Sequence, residues 1–118
     1  MTLREIRERI MFQTQNDAED LGDYQPHIEG YINAGYDEMV FEILGEHPDV
    51  LLVEADDEPD LPEWLHIALA DYGTWMIYRN GNPVKQQRGM VYLSAFRDAL
   101  TRAKRIGGRV MFTGHLKA

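Results

Sequence analysis

The chain has no cysteine, so disulfides and thiolate metal sites are excluded, and nothing in it requires an oxidising compartment. No apolar run approaches the ~18–20 residues of a membrane span. The first residues carry Arg4, Glu5, Arg7, Glu8 and Arg9 and lack the apolar core of a signal peptide, so a soluble protein made where it is used is expected. Ser94 is the only serine; it lies mid-helix with no histidine near it in sequence, which argues against a nucleophile. Glycine-rich phosphate loops are missing too, because Asn80–Pro83 and Ile106–Gly108 have neither the spacing nor the lysine. There is no internal repeat and no low-complexity stretch.

What remains is a chain of 118 residues, one domain in length and long enough to bury roughly 60–70% of its unfolded surface in one core. Its net charge of -8 is unevenly spread. Residues 84–118 hold eight bases against one acid, Asp98, which leaves four arginines against nineteen acids in the rest. Such asymmetry bears on partners rather than on fold.

The apolar spacing is helical throughout. Thr2 and Glu5 form a capping box ahead of Leu3, Ile6, Ile10 and Met11, predicting a first helix from about Leu3 to Gln13. A polar, turn-rich linker follows, with Gly22 as breaker. Asp23 is expected to cap a second helix with Pro26 in its first turn and Ile28, Ile32, Gly35 or Tyr36, Met39, Val40 and Ile43 on its apolar face. Gly35 inside that face costs about 1 kcal/mol relative to alanine, which points to close approach of a neighbouring helix. Gly45 and Pro48 end the helix.

Residues 46–60 are irregular, with Asp49–Glu54 as an extended apolar piece on the core and Ala55–Asp60 as an exposed acidic tip. Asp60, Pro62 and Glu63 suggest a capped start to a third helix carrying Trp64, Leu65, Ala68, Leu69, Tyr72, Trp75 and Met76. Asn82 and Pro83 then start a fourth, with a face of Val84, Gln87, Met90 or Val91, Leu93, Phe96 and Leu100, ended by Gly107 and Gly108. The predicted class is all-α: a small four-helix domain with a long acidic loop between the second and third helices and a short C-terminal tail, which is placed as a strand beside Val50–Val53.

No metal or cofactor is expected. His27, His47, His66 and His115 are too far apart in sequence for a local zinc pair, and His66 reads as a satisfied or exposed imidazole. The run from Asp17 has Gly22 at the sixth position of a calcium loop, but Ile28 stands where the twelfth-position acid belongs. Asp71 and Asp98 read as polar rim positions rather than as an acid–base pair. The groups left to carry function are charged surfaces: Asp56, Asp57, Glu58 and Asp60 on the acidic loop, and Arg97, Arg102, Lys104, Arg105 and Arg109 at the basic end of the fourth helix. The helix dipole accounts for part of that basic cluster. The rest suits an acidic patch on another chain, or nucleic acid. Complementary charge at opposite ends of one chain is what a head-to-tail ring uses.

Two pairs of segments resemble the head–tail connector (adaptor) proteins of tailed bacteriophages and prophages. Thr2, Leu3, Ile6 and Arg7 match the family's short first helix, and Ile32, Asn33, Gly35 and Tyr36 match the next. Pro62, His66, Ala68, Leu69, Asp71 and Tyr72, followed by Tyr92, Phe96, Ala99 and Leu100, are similar to its closing helical pair. The resemblance covers roughly residues 2–44 and 61–100. It implies a non-enzymatic structural virion protein that forms a ring of about a dozen subunits beneath the portal protein. The ring would receive the tail or tail-completion protein and let DNA pass unread. Localisation would be the virion head–tail junction, and the bacterial cytoplasm during assembly. The alternative is a small helical nucleic-acid-binding or regulatory protein acting through its basic C-terminal region.

Overall fold

The computed structural model describes residues 1–106. They fold into α1 (Leu3–Thr14), α2 (Ala18–Leu21), a 3-10 turn (Gln25–His27), α3 (Ile28–Leu44), α4 (Glu63–Tyr78) and α5 (Pro83–Ile106), with no strand among the described residues. The all-α class is as expected. The described residues hold five α-helices rather than four, because the polar linker after α1 contains the single turn α2. The tail placed as a strand lies outside the described residues, as does Arg109.

The four long helices alternate in direction. Met1 meets Glu63 while Gln13 meets Asp71, so α1 and α4 run parallel. Asn80 reaches Tyr31 while the Asp60 amide donates to the Tyr36 hydroxyl, so α3 runs against α4. Tyr72 packs on Phe96 and Trp64 on Arg102, so α5 runs against α4 as well. One end of the bundle therefore gathers the N-termini of α1 and α4 and the C-termini of α3 and α5. α4 touches each of the other three long helices, and its buried residues, among them Leu65, Ala68, Leu69, Ala70, Thr74 and Ile77, lie on every side, as expected of a helix enclosed by its neighbours. Its polar groups are matched: the Thr74 hydroxyl donates to Gln13 Oε1, and Gln13 Nε2 donates to Asp71 Oδ1 at 3.3 Å.

The caps divide into those expected and those corrected. The Thr2–Glu5 capping box is present on α1. Asn82 Oδ1 accepts the Lys85 amide at 2.9 Å, with Pro83 first in α5. Asp23, in contrast, is exposed and does not cap α3. The helix begins only after the 3-10 turn around Pro26, and His27 at its N-cap makes no side-chain bond. Nor does Asp60 cap α4, because Pro62 holds the N-cap position in an extended conformation and Glu63 turns instead to the Met1 amine at 2.9 Å.

The acidic loop is less free than its composition suggests. The carbonyls of Asp57 and Ala55 accept the Leu3 and Arg4 amides at 2.7 and 3.1 Å, serving donors that the first turn of a helix leaves unpaired. Asn33 grips Leu52 with both ends of its amide, accepting from the Leu52 N–H and donating to the Leu52 carbonyl, each at 2.8 Å. Leu52 is buried as the extended-segment expectation requires, while Val50, Leu51 and Val53 face out.

Two further corrections concern burial. Asp17, in the polar, turn-rich linker, is only 7% exposed. It accepts from Tyr78 Oη, from Lys85 Nζ at 2.6 Å and from the Arg88 guanidinium. In α5 the buried residues are Lys85, Gly89, Leu93, Phe96, Leu100 and Ala103, whereas Val84, Gln87, Met90 and Val91 face outward. The expected face is right from Leu93 onward and wrong before it. The buried stripe instead continues unbroken from Leu93 back to Gly89, which admits Tyr78, and Lys85, which pairs with Asp17: a Cβ on Gly89 would stand 2.7 Å from the Tyr78 Cβ.

Candidate interaction groove

α3 and the second half of α5 run in the same direction over α4 and leave a groove of about 520 Å³ between them. α4 supplies Tyr72 and Trp75 to it, and α5 supplies Leu93, Phe96 and Leu100. The walls carry Glu38 and Glu42 from α3 and Arg97, Thr101 and Lys104 from α5. Gly35 is what lets α3 sit so close, since a Cβ there would stand 2.8 Å from Tyr72 Cδ1. That is the close helix approach its place in the apolar pattern predicts.

The aromatic rings form a connected set. Tyr72 lies 4.8 Å from Phe96 and 5.5 Å from Trp75, centroid to centroid, within the usual range for favourable ring pairs. Arg79 sits over the Trp75 ring at 5.4 Å. Burial pushes the Tyr72 phenol up to about 12, helped by the Glu38 carboxylate beside it. At one end Lys104 Nζ meets Glu42 Oε2 at 2.9 Å across the groove. Both side chains of that pair are about half exposed (49% and 44%), so the bridge contributes little to stability and yields readily to an incoming group. A trough with a nearly buried aromatic floor and charged walls suits a helix or side chain of another protein. It shows no arrangement of nucleophile, base and orienting group.

The residues expected to carry function are distributed as follows. Arg97 and Lys104 line the groove. Arg102 stacks on Trp64 at 4.5 Å, at the first turn of α4. Arg105 is exposed on the last turn of α5. Of the acids, Asp56 is exposed and lies 3.8 Å from Arg4, and Glu58 lies 3.4 Å from the Met1 amine. Asp57 and Asp60 are partly enclosed. Asp57 Oδ2 accepts the Val53 and Glu54 amides at 2.9 and 2.8 Å, which holds its carboxyl below the usual carboxylate range.

Nor are the acidic loop and the basic end at opposite ends of the molecule. The antiparallel pairing of α4 and α5 sets Arg102 beside the turn into which the loop runs. Glu38 and Glu42 are not among the candidates read from sequence, although their four-residue spacing places them on one face of α3.

Comparison of the chain with protein-family models, curated proteins and solved structures gives no match. Among the described residues no helix is long and apolar enough to cross a membrane.

Proposed function

We propose that this protein is a structural subunit of a phage or prophage head–tail junction. It would assemble as a ring of about a dozen copies beneath the portal, receive the tail or its completion protein, and catalyse no reaction. The observation that carries this reading is the presence of two unlike surfaces on one small bundle. One is the charged-walled groove over Tyr72, Trp75, Leu93, Phe96 and Leu100, all of them buried except Trp75. The other is an outward stripe on the first half of α5, where Val84 and Val91 are 61% and 69% exposed beside Gln87 and Arg88. Different surfaces on one chain suit head-to-tail contact, which closes into rings, whereas a twofold dimer uses one surface twice.

The resemblance adds to this in a particular way. Asn33, Gly35, Tyr36, His66 and Tyr72, which carry it, are the fasteners of this bundle: the loop clamp, the helix approach, the Asp60 contact and the Leu61 contact. They speak for a shared framework, on which the groove walls Glu38, Glu42, Arg97 and Lys104 select the partner. A net charge of -8 keeps passing DNA from adhering. The nucleic-acid alternative is weaker, because Arg102 is stacked on Trp64 and the carboxylates of Glu38 and Glu42 share the groove with Arg97 and Lys104.

The test is co-purification with the portal protein, with the wild-type chain set beside an Arg97→Glu/Lys104→Glu variant. The wild-type chain is expected to associate and the variant to fold normally but bind at least about tenfold more weakly, since reversing wall charges sets like against like. Failure of the wild-type chain to associate at any salt concentration contradicts the reading. Binding to duplex DNA that falls steeply with salt would favour the alternative.

A further inference from the structure

A second cluster lies away from the groove, where the acidic loop meets the first turn of α4. Glu63 and His66 are three residues apart on α4 and so share a face, and Glu58 approaches them from the loop. One ligand atom from each of the three lies within 4.8 Å of the others. His66 is 3% exposed. Its Nε2 lies 2.9 Å from the Leu61 carbonyl, an acceptor only, so Nε2 carries the proton and the lone pair of the neutral ring sits on Nδ1. Nδ1 faces the two carboxylates, 3.5 Å from Glu63 Oε2, and among the described residues no side-chain donor reaches it. A histidine whose far nitrogen donates to a backbone carbonyl is in the state in which imidazole binds metal, with ring orientation and tautomer already set.

The cluster also selects a cation in this structure. The Met1 α-amino nitrogen lies among the three, 2.7 Å from His66 Nδ1, 2.9 Å from Glu63 Oε1 and 3.4 Å from Glu58 Oε1. A cationic nitrogen at those distances marks where positive charge is stabilised by all three groups together. One imidazole and two carboxylates are a donor set for a divalent transition ion, zinc first, and a poor one for magnesium, which prefers oxygen ligands throughout.

We propose that Glu58, Glu63 and His66 form a binding site for a divalent transition-metal ion that displaces the Met1 ammonium and pins the acidic loop to α4. The site is independent of the assembly role proposed above and stands or falls separately. Glu58 and Glu63 are exposed, with side-chain accessibilities of 59% and 73%, so replacing them leaves the core untouched. Only His66 is buried.

The experiment is a calorimetric titration of the full chain with Zn2+ alone and, separately, with Mg2+ alone. One Zn2+ per chain is expected to bind, with a rise in Tm because the ion binds only the folded state, and Mg2+ is expected not to bind. Glu58→Gln/Glu63→Gln is expected to weaken Zn2+ binding by at least about tenfold with an unchanged circular dichroism spectrum. A His27→Ala/His47→Ala/His115→Ala variant is expected to keep it. The proposal is overturned if Zn2+ does not bind, if Glu58→Gln/Glu63→Gln binds it as tightly as wild type, or if the triple histidine variant loses it.

Discussion

Asp17 is the residue whose role departs most from what its neighbours in sequence suggest. The Lys85 ammonium, then the Tyr78 hydroxyl and the Arg88 guanidinium, hold its carboxyl far below the usual carboxylate range, against the opposing effect of burial. A carboxyl depressed in the folded state contributes stability that is fully present above the unfolded value, near 4, and is lost as pH falls toward the folded value. The protein should therefore lose stability on acidification below about pH 4, and Asp17→Asn should flatten that loss while lowering the urea midpoint at pH 7. An Asp17→Asn midpoint equal to wild type at pH 7 would show that the network contributes nothing. No pattern in sequence marks Asp17, because its partners are 61 to 71 residues away.

Asn33 is a second case at the same scale. Asn33→Ala removes both bonds to Leu52 and should cost about 2 kcal/mol, as the buried backbone groups lose their partners. Amide exchange should accelerate at Leu52 and nearby in the loop while α4 keeps its protection. The loop acids likewise separate by role. Asp56→Asn should leave stability unchanged, since that side chain is exposed and its partner Arg4 is 59% exposed. Asp57→Ala should lower stability, since it frees the Val53 and Glu54 amides.

At the scale of elements, the helices were readable wherever local chemistry decides them. The Thr2–Glu5 box, the Asn82–Pro83 start and Gly45, whose φ of +74° ends α3, are each set by neighbouring residues. The first half of α5 was not, because its stripe of Val84, Gln87 and Val91 has helical spacing yet faces outward. What turns it outward is tertiary: the Lys85–Asp17 pair and the seat for Tyr78 at Gly89. Asp23 and Asp60 failed as caps for a related reason, since Pro26 and Pro62 fix the chain immediately before α3 and α4 in conformations their side chains do not serve.

The groove itself was half readable. Arg97 and Lys104 stood out as charge, and Tyr72, Trp75 and Phe96 as an aromatic stripe. That these meet across a trough depends on the closeness of α3, which Gly35 permits. Phe96, 1% exposed, is part of the core as well as of the trough, so Phe96→Ala should cost about 3–5 kcal/mol. Gly35→Ala sets an overpacking cost of about 1–3 kcal/mol against a propensity gain of about 1 kcal/mol. The Tyr72 ring cannot retreat without moving Phe96, so net destabilisation is expected in chemical denaturation; a raised midpoint would show that α3 has room to shift.

At the scale of the molecule, alternation of the four long helices decides how charge is arranged. The N-termini of α1 and α4 and the C-termini of α3 and α5 share one end, and three of these four carry side chains of favourable sign: Glu5 and Glu63 at the first two, Lys104 and Arg105 in the last turn of α5. Acidic loop and basic helix end are therefore neighbours, and a ring held by their mutual attraction across a subunit boundary loses its geometric basis. The groove and the outward Val84–Val91 stripe take over that role in the assembly proposed here, with Glu38, Glu42, Arg97 and Lys104 choosing the partner. The most direct measurement is electron microscopy of the purified chain mixed with its portal protein. The account predicts a closed ring of subunits stacked on the portal, lost in the Arg97→Glu/Lys104→Glu variant; a chain that stays unassociated from low salt to physiological salt, or a ring that forms equally well in the variant, would contradict it.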